Sequence, residues 1–369
     1  MKLRNTILLC LFLCMLHVSA ADIQFYVGTY TRPNGSKGIY HFRLDGNTGA
    51  ISGGELAAES KSPSFLALHP TKKFLYAVNE VDGSGGVSAF AIEAGGKLRP
   101  LNQQPSRGAG ACHLSVDAAG KTVFVANYGA GNIAALPIKP DGSLAPATGF
   151  VQHHGSSADP QRQKEPHAHS IYPGSDGTLV YACDLGTDKI YIYRFNSATG
   201  ELTPHEPASA SVPAGSGPRH LAFLPGFAYV INEMGNTVSV FQHDAAAGKL
   251  ALIQTIGTLP DDFTGESTTA EIFAHPNGKF VYGSNRGHDS IAVFRVDASS
   301  GKLGLVEHES TQGKSPRNFA ISPDGRWLIA ANQQTNNLVV FKVDESGGTL
   351  TPANQSVPLG APVCVTFVP

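Results

Sequence analysis

The sequence predicts an all-β protein, a seven-bladed β-propeller with four antiparallel strands per blade, and three observations carry that expectation. A strand-turn-strand unit recurs along the chain, as in residues 62–70 with 73–80, and again in residues 218–225 with 228–233. The second strand of each unit ends on Thr29, Asn79, Asn127, Asp184, Asn232, Asn285 or Asn332, spaced 47 to 57 residues apart. A repeat of that length holds four short strands, so seven anchors mean seven blades. Finally, the two ends are complementary halves. Residues 23–29 read as a second strand with no inner strand before it, and residues 361–368 as an inner strand with nothing after it. Pairing them completes one blade and closes the ring, which protects the sheet edges.

The elements within a blade follow in order. An inner strand starts near a proline and ends in a turn such as Pro276-Asn277-Gly278-Lys279 or Pro323-Asp324-Gly325-Arg326. A second strand rich in Tyr, Val and Ala follows, then a third strand such as residues 290–296 or 337–343. A Gly-x-Leu turn at Gly248, Gly301 or Gly348 opens the outer strand. Apolar residues alternate with period two, the signature of strands. The 41 glycines and 24 prolines supply the turns that seven blades need. A chain of 369 residues exceeds one small core and suits a ring of seven sheets.

Residues 1–20 stand apart. Lys2 and Arg4 precede an apolar run from Ile7 to Val18 and the small residues Ser19-Ala20-Ala21, the pattern of a secretory signal peptide. The mature domain, residues 22–369, is therefore expected in the periplasm or outside the cell, as a monomer, with no membrane attachment after cleavage. A net charge of -2 offers no basic face for nucleic acid. Of five cysteines two fall in the leader, and Cys112, Cys183 and Cys364 lie in strand patterns. They read as small buried apolar residues, with no disulfide framework and no zinc spacing.

Strand direction sorts the candidate functional residues. Inner and second strands are antiparallel, so the start of one and the end of the other share one end of the sheet. Repeat alignment brings Ser64, Cys112, His167, Arg219, Ala270, Arg317 and Val363 to the inner-strand starts, followed by Phe65, His113, Ala168, His220, Glu271, Asn318 and Cys364. Just past the second strands come Tyr30, Glu80, Tyr128, Leu185, Glu233, Arg286 and Gln333. His167, Arg219, Glu233 and Arg286 form the strongest cluster. Two arginines can fork onto carboxylate or phosphate oxygens, and a Glu and a His can move a proton. His169, His113, His220, Arg317 and Glu271 are expected to line the funnel and contact substrate. A ring of mutually satisfied ion pairs would give the same pattern. His167 and His169 have a ligand-like spacing but no Asp or Cys partner in the same copy, so no metal and no cofactor are expected. The recurring Asn reads as a turn device bonding the backbone that follows it. Residues 150–166 and 256–269 are long polar insertions expected to rim the pocket.

Tyr26-Val27-Gly28-Thr29-Tyr30, Pro166-His167-Ala168-His169, Gly217-Pro218-Arg219-His220, Asn232-Glu233 and Ser284-Asn285-Arg286-Gly287 together resemble the lactonase family of seven-bladed propellers. That family includes propeller-type 6-phosphogluconolactonase and 3-carboxy-cis,cis-muconate lactonising enzyme. The resemblance covers residues 22–369 and implies a small-molecule lactone or sugar acid as substrate. It also implies an active-site His, Arg, Glu and Arg, which match His167 (with His169 as the alternative), Arg219, Glu233 and Arg286. Lactone hydrolysis is the expected activity. A lactonising cycloisomerase and a non-enzymatic ligand-binding propeller are the alternatives. An export signal sits oddly with a phosphorylated cytoplasmic substrate, so the lactone itself stays open.

Overall fold

Residues that are buried on both sides of a sheet lose the alternation of a half-exposed strand, and the second strands of this protein do so. Leu179–Asp184 and Thr122–Asn127 are buried at every position, whereas outer strands such as Lys249–Gly257 keep exposed residues along their length. The computed structural model describes residues 22–81 and 83–369, so the leader lies outside the described residues. Over them the chain forms seven four-stranded antiparallel sheets. Six sheets use consecutive strands, such as Pro218–Leu224, Phe227–Asn232, Thr237–Asp244 and Lys249–Gly257. The seventh pairs Pro362–Phe367 with Ile23–Thr29, followed by Gly38–Leu44 and Ile51–Glu59. The ring is closed as the termini predict.

Seven apolar clusters fill the gaps between neighbouring sheets. In one of them Phe25, Phe42, Val365 and Phe367 of the closing sheet pack on Trp327, Ile329, Leu338 and Val340 of the sheet before it. The Gly-x-Leu turns contribute a repeated bond between blades. The hydroxyls of Tyr76, Tyr229 and Tyr282 donate to the carbonyls of Gly142, Gly301 and Gly348 in the next blade, at 3.0, 3.0 and 2.8 Å. Each of these glycines has positive φ and lies against a neighbouring phenylalanine, Phe74, Phe227 or Phe280, where a Cβ would collide. Cys112, Cys183 and Cys364 are buried free thiols.

The recurring Asn works differently from the sequence expectation. Its amide reaches back to the segment entering the blade: Asn79 donates to the Lys61 carbonyl, Asn127 to Ser106, Asn285 to Thr258 and Asn332 to Thr311, at 2.8 to 3.0 Å. Asp184 holds the same place without a donor, and the entering segment answers with one. His153 Nδ1 lies 2.6 Å from Asp184 Oδ2, both fully buried.

One irregularity positions the site. In six of the seven sheets the inner pairing shifts register at the inner-strand start. Pro218 pairs with Asn232 and His220 with Ile231, so Arg219 is an extra residue. A bulge of this kind turns successive side chains to one side and bends the strand. Arg219 and His220 accordingly both reach the central channel.

Tyr229→Phe removes one inter-blade donor and strands a buried carbonyl. It is expected to cost about 1–3 kcal/mol, measured as a lowered midpoint in urea with an unchanged slope. A midpoint equal to wild type would mean the bond contributes nothing to blade docking.

Candidate active site

Bulge positions and second-strand ends meet at one mouth of the channel. Glu233 follows the strand Phe227–Asn232 and is 6% exposed. Its Oε2 lies 3.1 Å from Arg219 Nε and 3.0 Å from Arg286 Nη2, and its Oε1 accepts from Arg162 Nη2 at 2.9 Å. Burial pushes the Glu233 carboxyl up, but Arg286, Arg219 and Arg162 together outweigh it and hold it at about 2. Arg219 is fixed further by a 2.8 Å bond to the Ala270 carbonyl, and Arg286 by a 2.6 Å bond to that of Thr269. Arg286 Nε is buried without a partner. Burial lowers Arg286 to about 10, with Arg219 and Arg317 pressing in the same direction against the pull of Glu233.

The two histidines of the 167–169 run separate. Ala168 pairs with Asp184 and Ser170 with Cys183, which makes His169 the bulge residue equivalent to Arg219. His169 Nε2 lies 3.9 Å from Glu233 Oε2. His167 corresponds instead to Gly217, since the Leu185 amide bonds the His167 carbonyl just as the Glu233 amide bonds that of Gly217. Its ring stacks on Tyr128 at 4.5 Å and its Nδ1 donates to the Tyr128 carbonyl at 3.0 Å. The structure therefore joins Arg219, Glu233 and Arg286 directly, and sets His167 to one side with His169 in contact. Burial depresses the His169 imidazole well below its ordinary value, and Arg219, His220 and Arg317 add to this, so it is neutral.

Below the cluster the channel narrows. Arg219 Nη1 donates to His220 Nε2 at 3.1 Å, which leaves His220 Nδ1 to donate to Glu271 Oε1 at 2.8 Å. Asn318 Nδ2 donates to Glu271 Oε2 at 2.5 Å. His113 packs between Phe65 and Tyr172 with its ring tilted to both, and its Nδ1 accepts from the Ile171 amide. Arg317 lies over the Tyr30 ring at 5.3 Å, and the Tyr30 hydroxyl donates to Glu80 at 2.9 Å. Between these groups a gap of about 10 Å³ remains, room for about one water. Phe65, Glu271 and Asn318 also line an apolar chamber of about 660 Å³ that opens at the opposite mouth. His113, His220 and Glu271 are thus the floor that separates the charged mouth from that chamber. Among the described residues no group of three or more His, Cys, Asp or Glu side chains is arranged to hold a metal, and no helix is long and apolar enough to cross a membrane.

Residues 24–367 match the family described as lactonase, 7-bladed beta-propeller. The chain belongs to this family. It is 41% identical over 348 residues to 6-phosphogluconolactonase of Bacillus subtilis, covering 93% of this chain and 97% of that protein. The periplasmic gluconolactonase of Pseudomonas aeruginosa superposes with a TM-score of 0.89 at 35% identity, covering 95% of this chain and 99% of that one. A structure from Lactobacillus plantarum superposes with a TM-score of 0.88 at 33% identity, over 95% and 100% of the two chains. The protein is a lactonase-family homologue of 6-phosphogluconolactonase.

One residue of this charged cluster, Arg162, was expected only as part of a rim insertion and not as a partner of Glu233. Arg162 lies in the 150–166 insertion, which has no counterpart in other blades and so no alignment to place it. The second insertion flanks Arg286, with Ser267 Oγ donating to the Arg286 carbonyl at 3.1 Å. Tyr128 receives Arg162 Nη2 on its hydroxyl at 3.0 Å.

The floor carboxyl has its own pH signature. Burial raises Glu271 to about 7, against Arg219 and the Ile272 amide. A folded-state value above the unfolded one means stability fully present below about 4.5 and lost as pH rises toward 7. Urea unfolding of wild type and Glu271→Gln across pH 4–8 is expected to show the wild type losing ground to the variant over that window. A constant difference between the two would show an unshifted Glu271.

Proposed function

We propose that the protein hydrolyses the ring ester of a sugar-acid lactone at the charged mouth of the channel. The observation that carries this reading is an ionised Glu233 whose Oε2 lies 3.9 Å from the neutral His169 Nε2, between two immobilised guanidinium groups. Two acceptors at that separation can both bond one water at about 2.8 Å. With its proton on Nδ1, toward Cys112 Sγ at 4.0 Å, His169 accepts the water proton at Nε2 as the water attacks the lactone carbonyl carbon. Glu233 stabilises the imidazolium that forms. The guanidinium groups of Arg219 and Arg286 stabilise the developing oxyanion, and such preorganised positive charge is commonly the largest part of acyl-transfer catalysis. Collapse breaks the bond between the carbonyl carbon and the ring oxygen. The imidazolium returns its proton to that oxygen, leaving the open hydroxy acid. Side chains alone perform every step.

Similarity to a 6-phosphogluconolactonase and to a periplasmic gluconolactonase supports this substrate class. The basic and apolar leader of residues 1–20, together with that second relative, supports an exported protein.

Ring opening of glucono-δ-lactone and 6-phosphoglucono-δ-lactone, followed by acid release at fixed pH, tests the reading against the spontaneous rate. Arg219→Ala and Glu233→Gln are each expected to lower kcat/KM by about 10²-fold or more, and His169→Asn by about 10²- to 10⁴-fold. His167→Asn is expected to cost less than His169→Asn. Because the base has a depressed proton affinity, the acid limb of kcat/KM is expected below the ordinary histidine range. A wild type no faster than buffer would end the proposal.

A further inference from the structure

Three of the four arginines at the mouth are held by the scaffold. Arg219 and Arg286 bond main-chain carbonyls, and Arg317 lies on an aromatic ring. Arg162 differs. Its side chain is 42% exposed, and its only bonds among the described residues run from Nη2 to Glu233 Oε1 and the Tyr128 hydroxyl. Nε and Nη1 bond no described residue. The backbone beneath it is rigid, however. Asp159 Oδ1 accepts the amides of Gln161 and Arg162 at 2.8 and 2.7 Å. The fully buried Gln163 reaches the Leu185 carbonyl at 2.8 Å and takes the Asp159 amide at 3.0 Å. Ser157 bonds Asp188 at 2.5 Å. The side chain is therefore a free arm on a fixed base.

We propose that Arg162 is a specificity-determining residue that leaves Glu233 for an oxyanion group, phosphate or carboxylate, on the far end of the lactone, a role that rests on the hydrolytic reading above. The exchange leaves no charge unpaired, because the half-exposed Arg162 side chain remains in water or meets the ligand while Glu233 keeps Arg219 and Arg286. Charge favours it as well. Four guanidinium groups face two carboxylates, Glu233 and Glu80, at this mouth, and an anionic ligand offsets the excess. Departure of Arg162 also uncovers Glu233 Oε1 and makes the carboxylate a better acceptor. Recognition of the anion and readiness of the acid-base pair are then one event.

The test compares wild type, Arg162→Met and Arg162→Lys. Calorimetry measures the affinity for 6-phosphogluconate, for glucarate and for gluconate, which carry at the far carbon a phosphate, a carboxylate and a hydroxyl. Kinetics measures kcat/KM for phosphorylated and unphosphorylated gluconolactone. Arg162→Met is expected to reduce the preference for the anionic ligand over gluconate by about 10- to 100-fold, the worth of one charge-assisted hydrogen bond, and Arg162→Lys to restore part of it. The arm that responds, 6-phosphogluconate or glucarate, identifies the oxyanion. Equal losses on all three ligands, or a wild type with no preference for either anion, overturn the proposal. Selective binding through Arg162 without turnover by the wild type would uphold this role and refute hydrolysis.

Discussion

Burying guanidinium groups side by side is tolerable only when an anion sits among them, and in this protein that anion is Glu233. Arg219 and Arg286 repel each other, and burial alone already lowers the proton affinity of Arg286. Removing one member of such a buried set leaves charge uncompensated, which is far costlier than never assembling it. Glu233 therefore fixes where the arginines point. The neutrality of His169 follows first from its burial, and Arg219, His220 and Arg317 add their opposition to a further positive charge. One carboxylate thus orients the positive field that meets a substrate.

The geometry that brings these groups together comes from one extra residue at the start of the inner strand. A regular strand would turn Arg219 and His220 to opposite faces of the sheet, one of them into the apolar gap between blades. The bulge lets both face the channel. The mouth then holds Arg219 and His169, and the floor holds His220 and Glu271, two layers only one residue apart in sequence. The floor closes the channel to about a single water and so separates the charged mouth from the apolar chamber on the other side.

The blade that carries His169 departs from the others through a chemically coherent exchange. Where Asn79, Asn127, Asn285 and Asn332 donate to a carbonyl, this blade has Asp184, an acceptor that takes His153, the His167 amide and the Thr187 amide. Those bonds pin both ends of the 153–167 segment. A long insertion becomes a shaped platform, and Arg162 stands on it.

The sequence alone determined the seven blades, the strand count, the closure by the two termini, and the convergence of Arg219, Glu233 and Arg286. These follow from repeat spacing and strand direction, which are properties of local order. Tertiary structure decided which histidine meets the carboxylate. Pro166 invites alignment with Pro218, which sets His167 opposite Arg219, yet Ala168 occupies the place of Pro218 and the inner strand begins two residues later. A bulge leaves no mark in a hydrophobic pattern, because it changes hydrogen-bond pairing and not composition. Arg162 was legible only as part of an insertion expected to rim the pocket. Its contact with Glu233 spans 71 residues and depends on how an unrepeated loop folds over the mouth, which only packing against the finished ring can fix.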